Sequence, residues 1–132
     1  MKRVTVVGAG KYGSMTALRI AEYDIVDSVV MTDIVDVLPQ GLALDMNQSR
    51  YVEKFKTEVI GTNNYKETSE SDVVVITAGL PRKPGMSRMD LLATNGKIIQ
   101  ELEGAFRLSL IHISEPTRLL SISYAVVCVE KK

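Results

Sequence analysis

The stretch that most constrains the fold is a short β-branched run followed by three spaced glycines. Residues 4–7 are Val-Thr-Val-Val, which is typical of a strand buried on both faces of a parallel sheet. Gly8, Gly10 and Gly13 follow as G-x-G-x-x-G, and a helical pattern begins at once. The first glycine permits a tight turn, the second lets the backbone approach a pyrophosphate, and the third lets the helix pack against the strand. The helix N-terminus then offers N–H groups and a positive dipole end to phosphates.

An acidic residue further along supports dinucleotide binding. A second apolar run, residues 28–32, ends at Asp33. The dinucleotide-binding fingerprint places an acid about 20 residues past its last glycine, where the acid binds the ribose hydroxyls. A carboxylate also repels a 2′-phosphate, so we predict NAD as the cofactor rather than NADP. The predicted cofactor contacts here are Gly8, Ala9, Gly10, Lys11, Tyr12, Gly13 and Asp33. For the glycines taken alone, a turn without a ligand is the alternative.

The composition limits the classes of function. The chain has 132 residues, enough for one domain with a core, and its charged fraction of 24% is that of an ordinary soluble protein. The net charge of zero favours neither nucleic acid nor an anionic membrane as a partner. The single cysteine, Cys128, excludes an internal disulfide and indicates a cytoplasmic location. We expect no signal peptide and no membrane span.

Strand and helix patterns alternate along the chain. Strands are predicted at residues 2–7, 28–32, 58–61 and 73–77, with helices at residues 11–23 and after Pro39. Asn63 and Asn64 are typical turn residues. The alternation predicts an α/β protein with a Rossmann-type, doubly wound parallel sheet, and it places ligands at the carboxyl ends of the strands.

A basic loop leaves the last predicted strand. Residues 77–88 contain two prolines, two glycines and three cations, and they begin where a ligand of such a sheet is expected. Arginine matches carboxylates with a rigid fork of donors. Arg82 and Arg88 on a mobile lid are therefore predicted to clamp an anionic substrate and to exclude water on closing. A solvated basic loop without a ligand is the alternative.

Several of these segments together resemble the lactate/malate dehydrogenase family, and most of all its bacterial NAD-dependent malate dehydrogenases. The resemblance covers residues 1–106, and the lid is its most specific part. It rests on the glycine turn with Asp33, and on residues 40–45, 61–65 and 76–88. It implies an incomplete Rossmann fold, holding the N-terminal NAD-binding domain only, and homo-oligomers among full-length members.

The resemblance also implies roles for particular residues. Arg82 would bind the distal carboxylate of the substrate and Arg88 would polarise its reacting carbonyl. Asn95, placed at the start of the next helix, would contact both cofactor and substrate. Lactate-specific members usually carry glutamine where Arg82 stands, so a dicarboxylate such as malate or oxaloacetate is expected. A lactate dehydrogenase-type activity and a non-catalytic NAD-binding fragment are the alternatives. Further implied cofactor contacts are Thr77, Ala78 and Gly79.

The chain departs from the family pattern in several places. Lys11 and Tyr12 replace a usual apolar pair and Met89 replaces a common acid, but none of these removes a named contact. The family's catalytic histidine–aspartate pair lies in the second half of its chains, so we expect no catalytic residue here, and no metal site. The only histidine, His112, lies in an apolar run and is not expected to be catalytic. The resemblance thus implies that the full-length protein transfers hydride between malate and oxaloacetate. It also implies that the present polypeptide is inactive alone.

The C-terminal residues 107–132 do not share the family resemblance of the preceding residues. From Leu108 the resemblance stops, and residues 108–118 match, residue for residue, the translation of a transposase-type sequencing adapter. Residues 122–132 resemble the far end of that adapter. We therefore predict an NAD-binding domain at residues 1–106 and a non-homologous, adapter-derived tail at residues 107–132. A genuine strand at residues 122–129, which would complete the sheet, is the alternative.

Overall fold

A computed structural model describes residues 1–69, 71–106 and 127–130 of the chain. Within these residues the sheet has the strand order β3-β2-β1-β4-β5. The first four strands are parallel and the fifth is antiparallel to β4. The strands are β1 (Arg3–Val7), β2 (Ser28–Thr32), β3 (Glu58–Thr62), β4 (Val73–Ile76) and β5 (Val127–Glu130). The helices are α1 (Lys11–Glu22), α2 (Leu38–Glu53) and α3 (Arg88–Phe106), with a 3₁₀ turn at Lys66–Thr68.

Helices cover both faces of the sheet, as the prediction of a doubly wound fold required. The side chains of β2 are buried along its whole length, and Val6 on β1 is completely buried. One apolar cluster joins the sheet to α1 and α2, and another joins it to α3. The first includes Val6, Val29, Met31, Ala17, Ala21, Ala43 and Met46, and the second consists of Val7, Val74, Ile76 and Leu102. The predicted fold class is confirmed.

The boundary between the lid and α3 differs from the prediction. Ser87 Oγ accepts a hydrogen bond from the Asp90 N–H at 3.2 Å, and Asp90 Oδ2 accepts one from the Ser87 N–H at 3.1 Å. This reciprocal capping pair begins the helix directly after Ser87. The hydrogen bonds from Ser87 also lower the pKa of the Asp90 carboxyl, against the effect of desolvation. Arg88 is consequently the first residue of α3 rather than a loop residue, and Asn95 lies within the helix instead of at its start.

Part of the tail forms an edge strand. Strand β5 pairs with β4 in the antiparallel sense, Val73 opposite Glu130 and Ile76 opposite Val127. The prediction of a strand at residues 122–129 is met at its C-terminal end only, since residues 122–126 lie outside the described residues. His112 and the rest of residues 107–121 lie outside them as well. The antiparallel direction differs from the parallel crossovers that build the other four strands.

Candidate nucleotide-binding site

The structure brings the predicted cofactor residues together at the carboxyl ends of β1, β2 and β4. The Gly8 N–H donates to the Thr32 carbonyl at 2.8 Å, which ties the glycine turn to the end of β2. The Thr77 N–H donates to the Val7 carbonyl at 2.8 Å, which ties the end of β4 to the same turn. Parallel strands thus place residues far apart in sequence at one edge of the sheet, where ligands of doubly wound folds bind.

Two glycines of the turn are sterically required. Gly8 has a φ of +102°, and a Cβ there would lie 2.9 Å from the Ala78 nitrogen. A Cβ at Gly13 would clash with the carbonyl oxygen of Gly8 and lie 2.7 Å from Thr77 Oγ1. These contacts agree with the tight turn and the close helix packing predicted from the spacing.

The N-terminus of α1 fits an anionic ligand. Gly10 caps the helix without a side-chain hydrogen bond, and a Cβ added there would meet nothing within 4 Å. Lys11, Tyr12 and Gly13 form the first turn, whose backbone N–H groups point out of the N-terminal end of the helix. The open space over Gly10, the oriented N–H groups and the dipole of a 12-residue helix suit a pyrophosphate. The cofactor roles of these residues stay predictions.

Asp33 lies beside the glycine turn, as predicted. Its Oδ2 accepts the Ala9 N–H at 2.6 Å and its Oδ1 accepts the Val35 N–H at 3.0 Å. The side chain is partly exposed. One carboxylate therefore borders the turn and remains accessible to the ribose hydroxyls of a nucleotide.

Two residues that follow β3 belong to this region, although the sequence analysis assigned them no contact in the site. The Asn63 side chain donates to the carbonyl oxygens of Asp33 and Val35, each at 2.8 Å. Partial burial raises the pKa of the Tyr65 phenol, although the residue is 38% exposed, and the negative charges of Asp33 and Glu101 add to that rise. The sequence signals were turn-forming residues just after a parallel strand and the resemblance of residues 61–65 to the family, and neither assigns a contact to Asn63 or Tyr65.

Thr77 and Asn95 connect the turn to the lid. Thr77 Oγ1 lies 3.1 Å from the carbonyl oxygens of both Val7 and Gly8. Asn95 Oδ1 accepts the Leu80 N–H at 2.8 Å, and a Cβ at Gly79 would lie 3.6 Å from the same oxygen. Residues Thr77, Ala78 and Gly79 are thus held between the glycine turn and α3, and Asn95 fixes the start of the lid.

Arg82 on the lid and Arg88 at the start of α3 are both exposed. Arg82 Nε donates to the Met86 carbonyl at 3.0 Å, so Arg82 is held by the lid's own backbone. Arg88 lies at the N-terminus of α3. Both side chains are accessible to an anion, and their roles toward a substrate stay predictions.

One surface cavity of the described residues lies away from the glycine turn. A surface cavity of about 540 Å³ opens at the amino ends of β1, β2 and β3, at the edge of the sheet opposite the glycine turn. Its carboxylate Asp24 accepts hydrogen bonds from the Lys56 and Thr57 backbone N–H groups, and these lower the pKa of Asp24. The part of the chain that the structure describes contains no group of metal-binding side chains and no helix able to cross a membrane.

Comparisons with known proteins agree with this geometry. A family model for the NAD binding domain of lactate/malate dehydrogenase matches residues 2–110. Malate dehydrogenase from Nostoc punctiforme is 58% identical over 101 residues, which is 76% of this chain and 31% of that protein. Malate dehydrogenase from Methanosarcina barkeri is 51% identical over 102 residues, 77% of this chain and 33% of that protein.

Solved structures give the same match. The structure of malate dehydrogenase from Salinibacter ruber superposes with a TM-score of 0.72 at 46% identity, covering 79% of this chain and 32% of that one. Lactate dehydrogenase from Cryptosporidium parvum, complexed with lactic acid and nicotinamide adenine dinucleotide, superposes with a TM-score of 0.73 at 36% identity. The match covers 81% of this chain and 33% of that one. The chain spans about a third of the length of the relatives that it matches.

Proposed function

The chain belongs to the lactate/malate dehydrogenase family, matching its NAD binding domain, and on that premise we propose that it is the N-terminal part of an NAD-dependent malate dehydrogenase. The reaction is reversible hydride transfer between malate and oxaloacetate. The observation that carries the proposal is the contact of Asp33 with the glycine turn, Oδ2 to the Ala9 N–H at 2.6 Å. It joins the acid and the phosphate-binding turn of the fingerprint in one site.

Each part of the site has a separate task. NAD, when bound, supplies the hydride chemistry. The first-turn N–H groups of α1 hold the pyrophosphate, and Asp33 binds the ribose hydroxyls. Asn95 fixes the start of the lid through Leu80, so that closure of the lid brings its cations toward the cofactor and excludes water.

The lid favours a dicarboxylate over a monocarboxylate substrate. Arg82 is exposed and held near Met86, where its guanidinium can pair with a second carboxylate, while Arg88 meets the reacting carbonyl. Lactate dehydrogenase is the second candidate, since structures of both enzymes match the chain. The arginine at position 82 favours malate.

The cellular setting is also part of the proposal. We place the protein in the cytoplasm, as an oxidoreductase of the tricarboxylic acid cycle whose full-length form is a homo-oligomer. Its single cysteine and neutral net charge are consistent with a reducing compartment and with a small-molecule partner rather than nucleic acid or a membrane.

Replacing Asp33 by serine should reverse or narrow the preference for NAD over NADP. The carboxylate repels the 2′-phosphate of NADP, and like charges placed together cost several kcal/mol, so the ratio of the two dissociation constants should change by at least about tenfold. Isothermal titration of the 132-residue chain with each cofactor measures that ratio. Asp36→Ser is the control, because it removes an exposed carboxylate from the same loop. Equal affinity of the unmutated chain for both cofactors would refute the assignment.

We also propose that residues 1–106 form the family domain and that residues 107–132 derive from a sequencing adapter. The support is the residue-for-residue match at residues 108–118. Strand β5 is compatible with this origin, since an apolar segment of any source can pair with the open edge of β4, and it does so antiparallel. Resequencing the gene across the codon for Arg107 should give family sequence after it. Finding the present codons for residues 107–132 in an independently amplified copy of the gene would rule the proposal out.

A further inference from the structure

We propose that Asn63 is a positioning residue for cofactor selectivity. Its side chain holds the loop that carries Asp33, and so keeps that carboxylate against the glycine turn. This inference rests on the proposed NAD site and assigns a role within it to a residue outside the fingerprint.

The side-chain amide of Asn63 is saturated by hydrogen bonds. Nδ2 donates to the Asp33 and Val35 carbonyls, each at 2.8 Å, and Oδ1 accepts from Gln40 Nε2 at 2.6 Å. Oδ1 also lies 3.4 Å from the Val37 N–H. The orientation of the amide is fixed, because the reverse one would set an oxygen against two carbonyl oxygens.

The loop depends on these bonds because packing does not hold it. Residues 33–37 connect β2 to α2, and their apolar side chains face solvent: Ile34 is 89% exposed, Val35 53% and Val37 71%. Val37 also has a φ of +66°, a left-handed conformation that is unfavourable for a β-branched residue. Hydrophobic burial therefore contributes little, and directed hydrogen bonds must define the loop.

The anchor of Asn63 is rigid. It follows β3 directly, and a Cβ at Gly61 on that strand would clash with the Pro39 carbonyl at the start of α2. Close packing of strand and helix leaves little freedom for the residue after the strand. Gln40, which donates to the Asn63 amide, lies on the same helix.

The held carbonyls belong to Asp33 itself and to Val35, whose N–H donates to the Asp33 carboxylate. Asp33 Oδ1 accepts the Val35 N–H at 3.0 Å, while Oδ2 accepts the Ala9 N–H at 2.6 Å. Asn63 therefore fixes the backbone at both ends of the short turn that aims the carboxylate. Without it, the carboxylate would bind the ribose less well and would repel a 2′-phosphate less strongly.

The test is titration of the 132-residue chain and its variants with NAD and with NADP, at a temperature where circular dichroism shows each to be folded. Asn63→Ala should weaken NAD binding by roughly fivefold or more, the worth of one lost hydrogen bond. Binding of NADP should change less, so the NADP-to-NAD ratio of dissociation constants should fall by a similar factor. Gln40→Ala, at an exposed side chain, should lower the ratio less and serves as the deciding variant if Asn63→Ala does not fold.

The control is Asn64→Ala, at the neighbouring exposed asparagine, whose side chain makes no hydrogen bond among the described residues. Both dissociation constants should stay unchanged in this variant. The inference is overturned if Asn63→Ala leaves both constants unchanged, or weakens both cofactors in equal proportion as a general loss of stability would. It is overturned equally if Gln40→Ala, used as the deciding variant, leaves the ratio unaltered. Failure of the unmutated chain to bind NAD would instead refute the proposed function, and the inference with it.

Discussion

Replacing Gly13 by alanine should abolish NAD binding by this chain and lower its melting temperature by roughly 4–12 °C. The new Cβ would clash with the Gly8 carbonyl oxygen and lie 2.7 Å from Thr77 Oγ1. Overpacking typically costs about 1–3 kcal/mol, and each kcal/mol lowers the melting temperature of a small domain by roughly 4 °C. The obstacle here is backbone of the cofactor turn, so α1 can relieve the clash only by moving away from β1.

Gly10→Ala is the matched control for this substitution. Gly10 has a φ of −67°, and a Cβ there would meet nothing within 4 Å. The melting temperature should therefore stay within a few degrees of the unmutated value, while NAD binding weakens because the methyl group occupies space needed by the pyrophosphate. Thermal unfolding followed by circular dichroism and titration with NAD separate the two effects. A Gly13→Ala chain that binds NAD normally would show that α1 does not pack as described.

Arg82→Gln should shift substrate selectivity from oxaloacetate toward pyruvate in a completed enzyme. Such an enzyme joins residues 1–106 to the remaining C-terminal part of the Nostoc punctiforme relative, which is 58% identical to this chain where the two align. Leaving a buried carboxylate without its arginine costs about 2–5 kcal/mol, a factor of roughly 30 to several thousand in kcat/KM for oxaloacetate. Pyruvate lacks that carboxylate, so its kcat/KM should fall little or rise.

Lys83→Gln is the control for Arg82→Gln. It removes an exposed positive charge from the adjacent position in the lid and so tests the general effect of charge. The ratio of kcat/KM for oxaloacetate over pyruvate should stay within a few-fold of the unmutated value. Equal losses in the two variants would mean that the lid acts by net charge, and that Arg82 has no specific role.

The parts of the fold that were predictable are those determined by local sterics and strand burial. The β-branched run of β1 and the glycine spacing after it suffice to place the turn, since Gly8 and Gly13 fill positions that no other residue fits. Strand β2 was predicted with its observed bounds because it is buried along its whole length. Asp33 followed from its position at the end of that strand.

The features that differ from the sequence-based predictions depend mostly on contacts between distant segments. Asn63 bonds to carbonyls 28 and 30 residues away, which turn propensity does not reveal. Ser87 with an acid three residues later is a local helix-start signal, and it places Arg88 in α3. The antiparallel direction of β5 is set by pairing with the edge of β4, to which the strand's own residues give no clue.

Oxidation of NADH in the presence of oxaloacetate tests most directly whether this chain is the N-terminal part of a malate dehydrogenase. The completed enzyme should oxidise NADH with a higher kcat/KM for oxaloacetate than for pyruvate. The 132-residue polypeptide alone should give no rate above buffer, because the histidine–aspartate pair that the resemblance implies, worth about 10²–10⁴-fold in rate, and the second half of the pocket lie outside it. A preference of the completed enzyme for pyruvate, or turnover by the polypeptide alone when free of host enzyme, would contradict the proposal.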